Sequence, residues 1–441
     1  MKYASLAIVA FLLVMALAFQ AQAQQREPVM QSGGEAVTGA LDYDDCVRLA
    51  LHQSPYFVTT GMQIELQRID ESDAFYEFFP DLRISSSYVV EDPDDDDGQR
   101  FSVGFTTGNY DPFSAYFEVQ AAEIMTQMAV LGHLKAISDG IYAIGQSFLE
   151  LNMLNRSAAF QDELVALAQH KGEYIANRIE SGAATPLEAR ISEQEIELAK
   201  LEREQIDISR SALLDKIKTL LGVPVMHELD LDLQDADIQV LGAFDPFAVD
   251  MEDVHANSID LKMVEYKLAL QEYNIQLAYA EFIPNLSFNM TTADAVNSDS
   301  TGWYAVIGAS TPLWDWGERT RNVTRQENRM ANFLAEGDLT TLELDSEWRA
   351  ALSDLQSAVT SVKLARARAE LAGLRRRQGE ISYHSGTVAF VDYLVQIENY
   401  FEAQKVVLQN ELDYSKKLYY LRYVSGFLYK NYVDAELFYN E

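Results

Sequence analysis

The chain has one cysteine, Cys46, among its 441 residues. That excludes an intrachain disulfide, and with only six scattered histidines it excludes a Cys/His zinc framework. A lone free cysteine of this kind reads as a small buried core residue. Basic residues are scarce too, with 34 Lys and Arg against 68 Asp and Glu, a formal charge of −34. Nucleic acid and anionic headgroups are read through Lys and Arg clusters, so no nucleic-acid partner is expected. No glycine-rich phosphate loop, His-Glu-x-x-His or Gly-x-Ser-x-Gly occurs, and the histidines never reach i, i+4 spacing. The chain is therefore not read as an enzyme, and no cofactor or metal site is expected. Beyond the N-terminus no segment approaches 18 apolar residues, so a membrane-spanning helix is not expected either.

What is present is apolar and ordered in character. At 48% hydrophobic and 11% aromatic residues, the acidic excess is not that of a disordered polymer. Length alone suggests about three domains. Lys2, the apolar run from Leu6 to Phe19 and Ala21-Gln22-Ala23 form a secretory signal peptide over 1–23, with Gln24 as the expected mature start. No cysteine lies at the cleavage site, so no lipid anchor is expected there.

An internal repeat replaces the three-domain expectation. Glu77-Phe78-Phe79-Pro80-Asp81-Leu82 recurs as Glu281-Phe282-Ile283-Pro284-Asn285-Leu286, 204 positions later. The same offset pairs Ser54 with Ser258, Gly104 with Gly308, Asp111 with Asp315, Gly182 with Gly386 and Gly222 with Gly426. The chain divides into an N-terminal extension at 24–40, repeats at 41–240 and 243–430, and a tail at 431–441.

Each repeat reads alike. Ser54-Pro55 starts a helix that Pro80 stops. Period-two alternation then marks strands at about 82–91 and 100–107, and again at about 285–293 and 302–311. Asp111-Pro112 opens a long helix to about residue 180, and Asp315 a second, at about 316–384. Ile124, Met128, Leu131, Leu134, Ile137, Ile141, Ile144, Phe148 and Leu151 step by threes and fours along the first. Trp348, Leu352, Leu355, Val359 and Val362 do so along the second, as in a coiled-coil seam. Ser181-Gly182 and Ser385-Gly386 turn the chain into return helices at about 186–221 and 387–425, the first carrying Leu198, Leu201, Ile208 and Ala212. A helix of some 67 residues is ~100 Å long at ~1.5 Å per residue. The return helix and the helix before the strands (about 55–79, or 258–282) nearly match it end to end.

Four strands cannot close a barrel, and open edges are not tolerated in lipid. Two chains would give a barrel filled by side chains, and more than two leave a lumen. The expected fold class is α+β: long helical coiled-coil hairpins with four transmembrane strands per chain, closing with other copies into a conduit. A one-chain porin and a periplasmic coiled-coil scaffold or chaperone are the alternatives; the helices speak against the first and the strand pairs against the second.

With the duplicated Phe-x-Pro-[Asp/Asn]-Leu at 78–82 and 282–286, Pro-Leu-Trp-Asp-Trp-Gly at 312–317, and Tyr383-x-x-Gly386 followed by Asp392, the chain resembles the TolC-like outer-membrane efflux channels. The resemblance runs from Leu41 to Gly426. It implies a homotrimer in the outer membrane of a Gram-negative bacterium, with the helical part in the periplasm. It also implies docking to a periplasmic adaptor (membrane fusion) protein and an inner-membrane pump, for efflux or type I secretion. Ser181, Gly182, Ser385, Gly386 and Thr387 match the hairpin tips that adaptors contact. Tyr383 and Glu188 match a latch of the periplasmic gate, Glu188 replacing an aspartate, while Val388 stands where a basic partner is expected. Asp392 matches the first acid of a cation-selective ring and Val395 departs from the second. The plainer reading of Asp392 is a solvated carboxylate in a first helical turn.

Three further features carry readings from the residues alone. Glu91 to Gly98 is a run of acids between strands, read as a solvated outer loop. Trp303, Tyr304, Trp314 and Trp316 are a candidate interfacial girdle. Arg366, Arg368, Arg375, Arg376 and Arg377 form the one basic cluster, read as a helix surface facing acids.

Overall fold

The computed structural model describes residues 40–77, 79, 83–89, 100–106, 111–234, 236–293 and 302–433. The expected signal peptide at 1–23, the acidic run at 91–98 and the tail beyond residue 433 lie outside the described residues. Helices α1 (Tyr43–Gln53) and α2 (Pro55–Glu77) precede strands β1 (Arg83–Val89) and β2 (Arg100–Thr106). Helices α3 (Pro112–Glu180) and α4 (Pro186–Leu221) form the first long hairpin, and two short helices, α5 (Ala236–Leu241) and α6 (Met251–Asn257), link the repeats. The second repeat follows as α7 (Ile259–Ala280), β3 (Asn285–Ala293), β4 (Gly302–Ser310), α8 (Glu318–His384) and α9 (Phe390–Val424), ending in a 3-10 turn at Tyr429–Asn431.

Local chemistry sets the ends of these helices. The Asp111 carboxylate accepts from the N–H groups of Phe113 and Ser114 at 3.0 and 3.1 Å, which satisfies orphan donors at the start of α3. At the other end Gly182 adopts φ 73°, and the N–H of Ala183 reaches back to the Arg178 carbonyl at 2.7 Å. Gly386 (φ 72°) repeats this device with Thr387 bonded to Ser382 at 2.9 Å. Only a left-handed residue closes the last turn in this way, and glycine adopts that region without steric cost.

The long helices are continuous over 69 residues in α3 and 67 in α8, each about 100 Å at ~1.5 Å per residue. Their partners are broken columns. The end of α4 meets the start of α2, because a side chain on Gly222 would lie 2.7 Å from the Gln53 carbonyl. Gly426 meets Asn257 in the same way, so α9 abuts the junction of α6 and α7. Helices therefore lie side by side in the order α4–α3–α9–α8 along the hairpins and α2–α3–α7–α8 nearer the strands. The strands form one antiparallel sheet in the order β1-β2-β3-β4.

The main core sits where these columns are spliced. Tyr43, Cys46, Val47 and Ala50 of α1 pack with Ile137, Ile141, Ile144, Phe148 and Leu151 of α3, Ile217 and Leu221 of α4, and Tyr419 of α9. Gly145 leaves room for the Tyr419 ring, whose hydroxyl donates to the Ile141 carbonyl and bonds the Tyr43 hydroxyl, each at 2.9 Å. Burial raises the Tyr419 phenol well above its ordinary range.

Two seams differ from the sequence expectation. On α8 the buried line is Trp348, Ala351, Leu355, Ala358, Val362, Ala365 and Ala369. Alanines alternate with the large residues on this line, which lets α8 and α9 approach closely; Leu352 packs against it only partly buried, and Val359 is half-buried. On α4 the residues facing α3 include Ser192, Leu213, Ile217 and Leu221, whereas Leu198, Leu201 and Ile208 are exposed.

Candidate functional site

The hairpin tips bring the expected residues to one end of the long helices. Ser181, Gly182, Ser385, Gly386 and Thr387 are all exposed, and a Cβ built on either glycine meets nothing within 4 Å. The serines serve the turns themselves. Ser181 Oγ donates to the Arg178 carbonyl at 3.0 Å and Ser385 Oγ to that of Ser382 at 2.9 Å, with Thr387 Oγ1 donating to the same carbonyl. Each tip thus holds its shape internally and leaves its outer surface free for contact.

The three residues expected to form a gate lie near the tips but are not joined within one chain. Glu188 is the third residue of α4, and its carboxylate accepts from the Thr185 N–H at 2.6 Å and the Thr185 hydroxyl at 3.0 Å. Thr185 Oγ1 in turn accepts from the Glu188 N–H at 3.3 Å, a capping box. The Thr185 backbone N–H, then its hydroxyl, hold the Glu188 carboxyl below its ordinary range. Tyr383 lies flat on Tyr393, ring centroids 5.6 Å apart and planes at 6°, and 5.3 Å from Phe390. Phe390 in turn contacts Tyr174 of α3 at 4.7 Å. Sequence reading missed this aromatic clasp between the hairpins; Tyr393 and Phe390 lie beside Asp392 and could have been found from that spacing. Asp392 is exposed in the first turn of α9, where the helix dipole favours a carboxylate.

At the other end of the helices, the junctions with the strands carry exposed aromatics. Trp314 and Trp316 are 73% and 80% exposed and meet edge to face at 5.7 Å. Their loop is fixed by Asp315, which accepts from Arg319 Nε at 2.6 Å and from the Gly317 N–H at 2.9 Å, and is held down at about 2, chiefly by Arg319. Arg319 also donates to the Pro312 and Glu281 carbonyls, at 2.9 and 3.2 Å, tying β4, α7 and α8 together. Trp316 itself is the one non-glycine with positive φ among the described residues, at 54°. Phe75, Tyr76, Phe113, Tyr116, Tyr279 and Phe282 are exposed at the other helix–strand junctions. The side chains of Trp303 and Tyr304 lie outside the described residues. On the sheet, register places Leu286, Phe288 and Met290 opposite Ala309, Ile307 and Ala305, one apolar face.

Among the described residues no cluster of His, Cys, Asp or Glu could hold a metal ion, and no helix is long and apolar enough to cross a membrane. A profile of the family described as "Outer membrane efflux protein" matches residues 251–426, the second repeat. Residues 251–426 belong to the outer membrane efflux protein family. No curated protein matches the chain. Its fold is that of several solved outer membrane channels. The Campylobacter jejuni CmeC outer membrane channel superposes with a TM-score of 0.75 at 15% identity, over 90% of this chain and 88% of that one. A membrane protein from Pseudomonas aeruginosa gives 0.73 at 18% identity, covering 87% and 90%. The outer membrane protein VceC from Vibrio cholerae gives 0.71 at 14%, covering 87% and 96%. The family match thus covers the second repeat, while the fold likeness covers both repeats.

Proposed function

We propose that the protein is the outer-membrane channel of a tripartite efflux or type I secretion system, a passive exit duct built as a homotrimer. One observation carries this reading: the helical layer and the sheet end on matching edges. The helices run from α2/α4 on one side to α8 on the other, and the sheet runs from β1, which follows α2, to β4, which precedes α8. Both outer columns are apolar on their free sides. Leu187, Ile191, Leu198, Leu201 and Ile208 of α4 are exposed at heptad spacing, as are Leu364, Leu371, Leu374 and Ile381 of α8.

Two different edges make a heterologous contact, and such contacts close into a ring if the rotation permits. Closure removes the strand edges at the same time, which lipid requires. More than two chains leave a lumen, and the efflux family points to three. The apolar sheet face and the exposed aromatics at the helix–strand junctions suit an outer-membrane span and its interface. The tips at Gly182 and Gly386, roughly 100 Å from that interface by helix length, are then the surface for a periplasmic adaptor and the inner-membrane pump behind it. In this reading Asp392, repeated by symmetry, forms a ring of carboxylates at the narrow end that favours cations. Tyr383 is a gate residue through its aromatic clasp, and Glu188 takes part once the gate frees it from Thr185.

A double variant tests the assembly. Counted from the two tips, Leu198 of α4 and Leu371 of α8 lie at about the same height in an antiparallel pair. In L198C/L371C, oxidation in cells should give a covalent ladder ending at the trimer in the outer-membrane fraction. Cys46 is fully buried and does not interfere. A ladder that stops at the dimer, or soluble monomer alone, would overturn the channel reading in favour of a scaffold.

A further inference from the structure

The basic cluster on α8 is not used by the channel reading, and part of it lines a cleft. Between α8 and α9, nearer the tips than the core, lies a cavity of about 510 Å³. Its walls include Arg366, Arg376 and Arg377 in a chain that is otherwise acidic. The seam between the helices explains the space. The buried line on α8 runs through Ala365 and Ala369, and Gly373 adjoins the Tyr400 ring of α9.

The charges in the cleft have distinct roles. Glu411 is already answered, accepting from Arg366 at 2.8 Å and from Arg156 at 3.3 Å. Arg376 lies with its guanidinium 4.8 Å from the centre of the Tyr400 ring, so its plane is held by cation–π contact. Its Nε is buried and has no hydrogen-bond partner among the described residues. A buried donor without an acceptor is costly, and one on a charged group more so. Arg377 adds a second cation and Glu370 a single acid, leaving one positive charge in excess once Arg366 and Glu411 cancel. Leu374, Val407, Ala369 and the Tyr400 ring supply an apolar wall.

We propose that this cleft is a binding site for a singly charged aromatic anion, an aryl carboxylate whose acid meets Arg376 and Arg377 and whose ring lies against Tyr400 and Leu374. The pairing is the one guanidinium geometry favours, a planar fork to a planar carboxylate. A neutral amide of the same shape cannot use the surplus charge, and a free phosphate cannot use the apolar wall. All its lining residues come from one chain, although Leu374 also lies on the free α8 face, so a neighbouring α4 would border the cleft in the oligomer.

The test is fluorine NMR of 4-fluorobenzoate with the full-length protein in detergent, alongside 4-fluorobenzamide and competing inorganic phosphate. Expected are line broadening with the benzoate only, binding weakened at least tenfold in R376Q and in G373L, which fills the cleft, and unchanged binding in R375Q, whose side chain is not part of the lining. Phosphate should compete poorly. No binding to the unmodified protein, equal binding of the amide, displacement by phosphate at equal concentration, or R376Q and G373L that bind as well as the parent would each overturn the proposal. So would an oligomer in which an acid from a neighbouring α4 already fills the cleft, since it would not take up the probe.

Discussion

Two glycines of α3 should respond to the same substitution with opposite signs. In an exposed helix Gly→Ala gains roughly 0.5–1 kcal/mol, because alanine loses less backbone entropy on folding. At Gly132 a Cβ meets nothing within 4 Å, so that gain should appear undiminished. At Gly145 the added methyl would lie 2.4 Å from the Tyr419 hydroxyl oxygen and 2.5 Å from its Cζ. The ring cannot swing aside cheaply. It is fully buried, its hydroxyl is bonded to Tyr43 and to the Ile141 carbonyl, and Tyr142 stacks on it at 5.3 Å. Overpacking of this kind costs about 1–3 kcal/mol, and breaking one of the hydroxyl bonds adds about 1 more. The expectation is that G145A loses about 1–3 kcal/mol net while G132A gains up to ~1. Urea unfolding of each variant, followed by helical circular dichroism, reads both. If G145A unfolded at the same urea concentration as G132A, the close packing of the two long hairpins at their splice would be refuted.

Asp392→Ala should weaken block by multivalent cations in a bilayer recording, and unchanged block removes the carboxylate ring. Glu188 has a carboxyl held below its ordinary range, so its contribution to the start of α4 is present above the usual carboxylate range and lost as pH falls through the depressed value. Hydrogen exchange at residues 187–190 should therefore speed up on acidification beyond the intrinsic change, and E188Q should remove that extra pH dependence. Trp314 and Trp316 should be quenched by lipids brominated near the headgroup while buried Trp348 is not; equal quenching of the parent and W314F/W316F would show that they do not face lipid.

Helix ends were legible because they rest on local chemistry. Asp111-Pro112 and the Ser-Gly pairs at 181–182 and 385–386 each satisfy or end a helix through their own side chains and backbone, whereas the Thr185 cap of α4 shows only in the structure. The repeat was legible through the same punctuation. Seams were less so, because periodicity reports that a helix has an apolar face and not which of two faces meets a neighbour. Helix α8 has two such faces: a line alternating with alanine that meets α9, and a leucine line that is free. Leu352 and Val359 flank the α8 line half-buried, while close approach of the helices places Ala351 and Ala358 on it. The apolar line of the return helix likewise does not say which side it faces: Leu198 and Leu201 are exposed. The gate was legible only as positions. That Glu188 is spent on Thr185 and Tyr383 on Tyr393 depends on contacts that a motif does not encode.

Whether the open edges on both layers close into a conduit is read from conductance. The oligomer purified from the outer membrane and placed in a planar bilayer should give uniform, cation-selective steps. Locking the tips together through cysteines at Gly182 and Gly386 should reduce those steps reversibly. An outer-membrane oligomer that inserts and carries no current, or a protein recovered only as a soluble monomer, would contradict the account.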